Sequence, residues 1–265
     1  MASKKKKNKT KKRSVVGRFF ALLGKVLLSI FLLSILLPIA YRWINPPVTA
    51  LMVIRKVQNG TPMEKKWKDL DDISPYMVSC AVAAEDRNFL GHRGFDWGAI
   101  QQAINERESG SRKRGASTIS QQTAKNVFLW PKQSWIRKGG EVYFTFLIET
   151  FWSKERIMEV YLNVIEMGDG IYGAEAAARH YFDKSADNLS RREAALITAA
   201  YPDPLDRNPG HPSAYLKRQA GSIAVVSSSI GKIRFDKKSL NKARERYKKR
   251  EERRRKRNDG KILDI

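Results

Sequence analysis

The 265-residue chain contains a single cysteine, Cys80, so no intrachain disulfide holds it together. Cys80 lies in an apolar stretch with Val78, Ala81 and Val82, which fits a small buried side chain better than a reactive thiol. Sustained alternation of apolar and polar residues is missing, which argues against a large β architecture. No internal repeat is visible, which excludes a repeat array. Acidic residues are absent from Lys4 to Arg13, where the chain carries eight Lys/Arg, and scarce from Lys237 to Arg257, where thirteen Lys/Arg face three Glu. The formal net charge of +24 is thus concentrated at the two ends, and the middle of the chain is only moderately basic. On charge alone, basic ends suit anionic lipid headgroups, nucleic acid or acidic polymers. A solvated, partly disordered tail is the plainer reading of the C-terminal one.

From Val15 to Tyr41 the chain is mostly apolar, interrupted by Arg18 and Lys25. Val26 to Tyr41 is uncharged but short of the roughly 20 residues that a bilayer demands. Lys25 extends the usable length by reaching back to the headgroups. The preceding basic cluster predicts a cytoplasmic N-terminus. Arg42, Trp43 and the run Asn45-Pro46-Pro47 mark the far interface. No small-x-small cleavage site follows the apolar run, so a retained anchor is expected instead of a removed signal peptide.

The segments that follow read mainly as helices. The expected organisation is a basic cytoplasmic tail (1–14), an anchor (15–43), a juxtamembrane connection (44–73), a globular domain (74–232) and a basic C-terminal tail (233–265). Within the connection, Leu51 to Ile54 reads as a strand or a membrane-hugging segment. Ser74-Pro75 supplies an N-cap and a proline at the first helical position. Ser153 caps a helix through Lys154 to Asn163, and Ser190 to Glu193 has the form of a capping box before AALITAA. Tyr201 to Pro212, rich in Pro, Asp and Asn, is loop.

Four segments carry candidate chemistry. In EDRNFLGHRGFD (85–96), two acids end an apolar helix. A carboxylate at that boundary is partly desolvated, which raises its pKa toward that of a general base. Taken alone, such a pair more often faces solvent. GASTISQQTAKN (115–126) packs hydroxyls, amides and a lysine together, chemistry suited to sugar hydroxyls and a phosphate. Thr118, Gln122 and Lys125 fall at i, i+4 and i+7, one helix face, with an ordinary exposed polar face as the alternative. RKGGE (137–141) is the third. In the fourth, Glu159 sits among Ile157, Met158, Val160 and Leu162, so it must face a cleft or find a partner.

In order and spacing these segments, with GIYGAEAAARHYF and REAALITAAYPDPLDRNP, closely resemble the peptidoglycan glycosyltransferases, which extend glycan strands from lipid II. The resemblance spans about residues 78 to 209. Ser229-Ile230-Gly231-Lys232 matches the Ser-x-x-Lys of a transpeptidase, but no Lys-Thr-Gly follows, so the chain resembles the monofunctional form. The resemblance implies a mainly α, lysozyme-like helical domain on one N-terminal transmembrane helix. It implies an inverting transfer: Glu85 as catalytic base takes the proton from the acceptor hydroxyl, which attacks the donor sugar and releases undecaprenyl pyrophosphate. Lys125 and Arg137 match phosphate-binding positions. Glu159 matches a second essential carboxylate, which orients the site or holds a divalent cation. Asp86, Phe89, His92, Ser117, Thr118, Gln122 and Asn126 match further cleft positions, His92 as a structural or hydrogen-bonding residue and not the base. Trp97 to Arg114 resembles the family's mobile, membrane-facing stretch. The sequence requires no cofactor; Mg or Mn at Glu159 is the one that the resemblance admits. The implied partners are lipid II, the growing lipid-linked glycan and the membrane, with other cell-wall synthases admitted and nucleic acid excluded. The implied location is the bacterial inner membrane, single-pass, with the catalytic domain outside the cytoplasm. The rivals are a lysozyme-like hydrolase and a non-catalytic membrane scaffold. Lys125 and Arg137 argue against the hydrolase, which has no pyrophosphate to neutralise, and the intact acidic and cationic positions argue against the scaffold.

Overall fold

The computed structural model describes residues 15–60, 62–110 and 115–263. Helix α1 (Val15–Ala40) is long and apolar enough to cross a bilayer, with a mean hydropathy of 2.5 over its apolar window. None of that window is buried within the protein, and most of its Leu, Ile and Phe side chains are exposed. At about 1.5 Å per residue such a helix is longer than the roughly 30 Å hydrocarbon thickness of a bilayer.

The next segment departs from the expected strand or membrane-hugging stretch. Residues Ala50–Asn59 form helix α2. Thr49 caps it by accepting a hydrogen bond from the Met52 amide at 3.3 Å, and Gly60, at φ 68°, ends it in the left-handed region. Leu51 and Met52 are buried in the core, which draws the run inward. A four-residue apolar run has too little periodicity to separate helix from strand, and the deciding signals, Thr49 and Gly60, flank it.

Helix α3 (Pro75–Glu85) starts as the sequence predicts, on Ser74 and Pro75. Every residue from Met77 to Ala83 is buried. It packs against α9 (Arg191–Ala200) and α10 (Ala214–Ile230), which makes it the central rod of the domain. Around it lie α4 (Trp97–Glu108), α5 (Ile119–Phe128), α6 (Trp135–Phe151), α7 (Lys154–Val164) and α8 (Ala174–Phe182). The caps expected at Ser153 and Ser190 are present, the latter as a complete capping box with Glu193. Helix α5 packs on both α6 and α7, and α1 leans on α6. The Trp152 indole donates to the Pro38 carbonyl at 2.6 Å, and Ser34 and Tyr143 hydroxyls meet at 2.9 Å.

A small sheet, absent from the sequence reading, closes one side. Its order is β1 (Glu64–Lys65), β3 (Ile171–Tyr172), β2 (Glu166–Gly168), with β1 parallel and β2 antiparallel to β3. Strands of two or three residues carry no readable alternation. The C-terminal stretch expected to be a basic tail also differs: Lys237–Leu263 is one helix, α11. Its inward residues, Leu240, Ala243, Tyr247, Glu251 and Arg254, recur at three- and four-residue steps. The density of Lys and Arg hides that stripe from a reading by hydropathy. The first 14 residues lie outside the described residues.

Candidate active site

Glu85 is the last residue of α3, where the buried rod emerges to partial exposure. Its Oε2 accepts a 2.7 Å hydrogen bond from the Gln122 amide nitrogen on α5. Gln122 is oriented in turn by Tyr161 of α7, whose hydroxyl donates to the amide oxygen at 3.2 Å. Tyr161 is buried, so its donor needs an acceptor, and that leaves the amide NH2 turned toward Glu85. Burial pushes the Glu85 carboxyl above its ordinary range, against the hydrogen bond from Gln122. Neighbouring Asp86 raises it further, and Lys125 draws it back.

Asp86 points the other way, into the protein. Both of its oxygens lie 3.0 Å from His92 Nε2, and Oδ2 accepts the Ile119 amide at 3.1 Å. A carboxylate at the N-terminus of α5 meets the positive end of the helix dipole. Asp86 and His92 therefore tie the loop after α3 to the start of α5. Thr118 is the N-cap of α5: it accepts from the Gln121 amide and donates to the Gly94 carbonyl at 2.6 Å. Phe89 is fully buried, and the Lys154 ammonium lies 4.5 Å above its ring. Ser117 is exposed in the loop before α5, and Asn126 is buried on that helix.

A cluster of charges lies beside Glu85. Arg137, in the first turn of α6, donates to Glu141 at 2.9 Å, and Lys138 pairs with the other oxygen of the same carboxylate. Burial pushes the Lys125 ammonium down; Glu141 and Glu85 pull it up, while Arg137 and Lys138 press it lower. Arg137 Nε is buried without a partner among the described residues. A guanidinium with an unused buried donor and a partly desolvated lysine thus lie together near Glu85.

The structure does not bring Glu159 to this group. Its carboxylate pairs with Arg156 and accepts the Leu70 amide at 3.4 Å. Arg156 also donates to the carbonyls of Tyr41 and Ile44, so this pair belongs to the junction where the chain leaves α1. Glu159 thus finds a partner instead of facing the cleft. That environment does not fit a metal ligand, because the neighbour of the carboxylate is a cation. Among the described residues no group of three His, Cys, Asp or Glu side chains is placed to hold a metal.

The carboxylate that does sit with Lys125 and Arg137 is Glu141, which ends the RKGGE segment. Its spacing four residues after Arg137 is the signal that points to it. A second unforeseen group is Ser120, Glu149 and Lys154. Lys154 donates to Glu149 at 2.6 Å with both side chains less than a tenth exposed, and Ser120 donates to the same oxygen. Burial pushes the Lys154 ammonium down, and Glu149 opposes that shift. A buried pair of this kind is visible only once α5, α6 and α7 are packed.

The transglycosylase family model matches residues 52–226, well over half of the chain. A biosynthetic peptidoglycan transglycosylase of Bacteroides thetaiotaomicron is 50% identical over 230 residues, covering 84% of this chain and 93% of the relative. Those of Rhodospirillum centenum and Caulobacter vibrioides are each 49% identical, covering 79% and 81% of this chain and 91% and 96% of the relatives. A family match over most of the chain, with relatives about half identical across nearly their whole length, shows that the chain belongs to the transglycosylase family.

Proposed function

We propose that this chain is a peptidoglycan glycosyltransferase that polymerises lipid II into β-1,4 glycan, with Glu85 as the base. The observation that carries the reading is the juxtaposition of a half-buried, amide-clamped carboxylate with Lys125 and Arg137. In the reaction, the acceptor 4-hydroxyl loses its proton to Glu85 as its oxygen bonds to C1 of the donor sugar. The C1–oxygen bond to the pyrophosphate breaks on the opposite face, which inverts the anomeric centre. Negative charge grows on the departing undecaprenyl pyrophosphate, and cations placed there in advance stabilise it without reorganising. Arg137 offers a planar fork and Lys125 a compact charge to those oxygens, and Glu141 holds Arg137 and Lys138 in place.

Both substrates carry lipid tails, so the cleft belongs at a bilayer surface. Helix α1 supplies the anchor, and by the positive-inside rule the basic cluster before it favours a cytoplasmic N-terminus with the domain outside the inner membrane. Alongside α1, helix α6 leaves Trp135, Ile136, Val142 and Phe146 exposed, a surface suited to lipid.

The test is glycan polymerisation from purified lipid II in detergent. Glu85→Gln is expected to lower the rate by about 10²- to 10⁴-fold, the usual contribution of a general base. Full activity in that variant would remove Glu85 from the role.

A further inference from the structure

Helix α11 follows the segment that matches the transglycosylase family, yet it lies directly on the loop after Glu85. The Tyr247 hydroxyl donates to Asp96 Oδ1 at 3.3 Å, and Arg250 donates to Asn88 Oδ1 at 3.0 Å. Asn88 and Asp96 are themselves joined, the Asn88 amide nitrogen donating to Asp96 Oδ2 at 2.7 Å. Asp96 also caps α4 through the Ala99 amide at 3.0 Å. The Tyr247 ring stands edge-on to His92, with centroids 6.1 Å apart.

Two glycines permit the approach. A Cβ on Gly91 would stand 2.7 Å from Tyr247 Cβ and 3.1 Å from the Ala243 carbonyl oxygen. A Cβ on Gly98 would strike the side chains of Arg254 and Glu251. Helix α11 therefore grips both ends of the loop and the first turn of α4. From there the contacts run without a break: Tyr247 to His92, His92 to Asp86, and Asp86 to the residue before it, Glu85.

We propose that α11 is a strap that positions the base-bearing loop, with Tyr247 as its main positioning residue and Arg250 as the second hold. The catalytic part of this inference rests on Glu85 being the base. Residues 88–96 form turns and bends, with few backbone hydrogen bonds of their own. Such a loop keeps a fixed path only through side-chain contacts, and α11 supplies several from outside.

The test uses the full chain in detergent, with polymerisation kinetics and amide hydrogen exchange measured together. Tyr247→Ala and Gly91→Ala are expected to lower kcat about tenfold with little change in KM, as misplacement of a catalytic group does. Exchange is expected to quicken about tenfold at the hydrogen-bonded amides of the loop, Phe89, Gly91 and His92, and to stay unchanged in α3 and α9, the sign of a local opening. Tyr247→Phe, which keeps the ring, should recover most of the rate. Lys248→Ala, on the exposed face, should match the parent. Unchanged exchange at those loop amides after deletion of residues 237–265 would overturn the strap. Faster exchange throughout the domain with a lower Tm would overturn it as well, because α11 would then be a general stabilising helix. Local opening with unchanged kcat would overturn the positioning role. Activity surviving in Glu85→Gln would remove the base reading alone, and the exchange result would still decide whether α11 holds the loop.

Discussion

As the proposed base, Glu85 would work only while ionised, so the rate should fall as the pH drops through its pKa. Burial raises that pKa, and the Gln122 hydrogen bond, which favours the charged form, lowers it. Removing the bond should therefore raise the pKa further. Gln122→Leu is expected to move the acid limb of kcat/KM to higher pH, whatever it does to the maximal rate. A pH profile of the variant checks this, and an unmoved limb would mean that Glu85 is not the group that titrates. The location of Glu85 was legible in the sequence because an apolar helix ended on it. The burial and partners of Asp86 and His92 were not legible, because they depend on contacts with α5 that only the packed chain makes. Glu159 met the second of the two outcomes read from its sequence, a partner and not a cleft. Its apolar neighbours demanded a partner, and the sequence left Arg156, three residues earlier, unconsidered.

At the scale of elements, Thr118 separates two roles for one hydroxyl. It was expected in the cleft; its bonds cap α5 and hold Gly94. Thr118→Ala is expected to cost about 1–2 kcal/mol of stability, as loss of an N-cap does, and Thr118→Ser much less. Denaturant unfolding measures both. Unchanged stability with a raised KM would assign the hydroxyl to substrate instead. Helix starts were the best-read elements, since Ser74-Pro75, Ser153 and Ser190 each place a cap just before an apolar pattern. The sheet was invisible because its strands are too short to alternate, and its pairing joins residues far apart in the chain. Helix α2 was missed because its signals flank the run instead of lying in it. Helix α11 was missed because its inward stripe rests on Tyr247, Leu240 and Ala243 amid a dense field of charge.

At the scale of the molecule, α1 is packed on the domain and not merely joined to it. Its contacts with Trp152 and Tyr143 fix α6 alongside, and leave Trp135, Ile136 and Phe146 uncovered. A chain lacking residues 1–43 should leave the membrane but aggregate when detergent is withdrawn, because the face of α6 that met α1 adds to that apolar surface. Size-exclusion chromatography with and without detergent tests this. A monodisperse truncated chain in plain buffer would mean that α6 does not face lipid.

Held in a bilayer by α1, as proposed, such an enzyme would meet its lipid-linked substrates by drifting in a plane. What sets its encounter rate is then the number of substrate molecules per unit area of bilayer, and the volume of water around the cell drops out of the rate law. Viscosity of the lipid replaces viscosity of the solution as the quantity that slows the search. Crowding of the leaflet by other proteins acts on the enzyme as dilution acts on a soluble one.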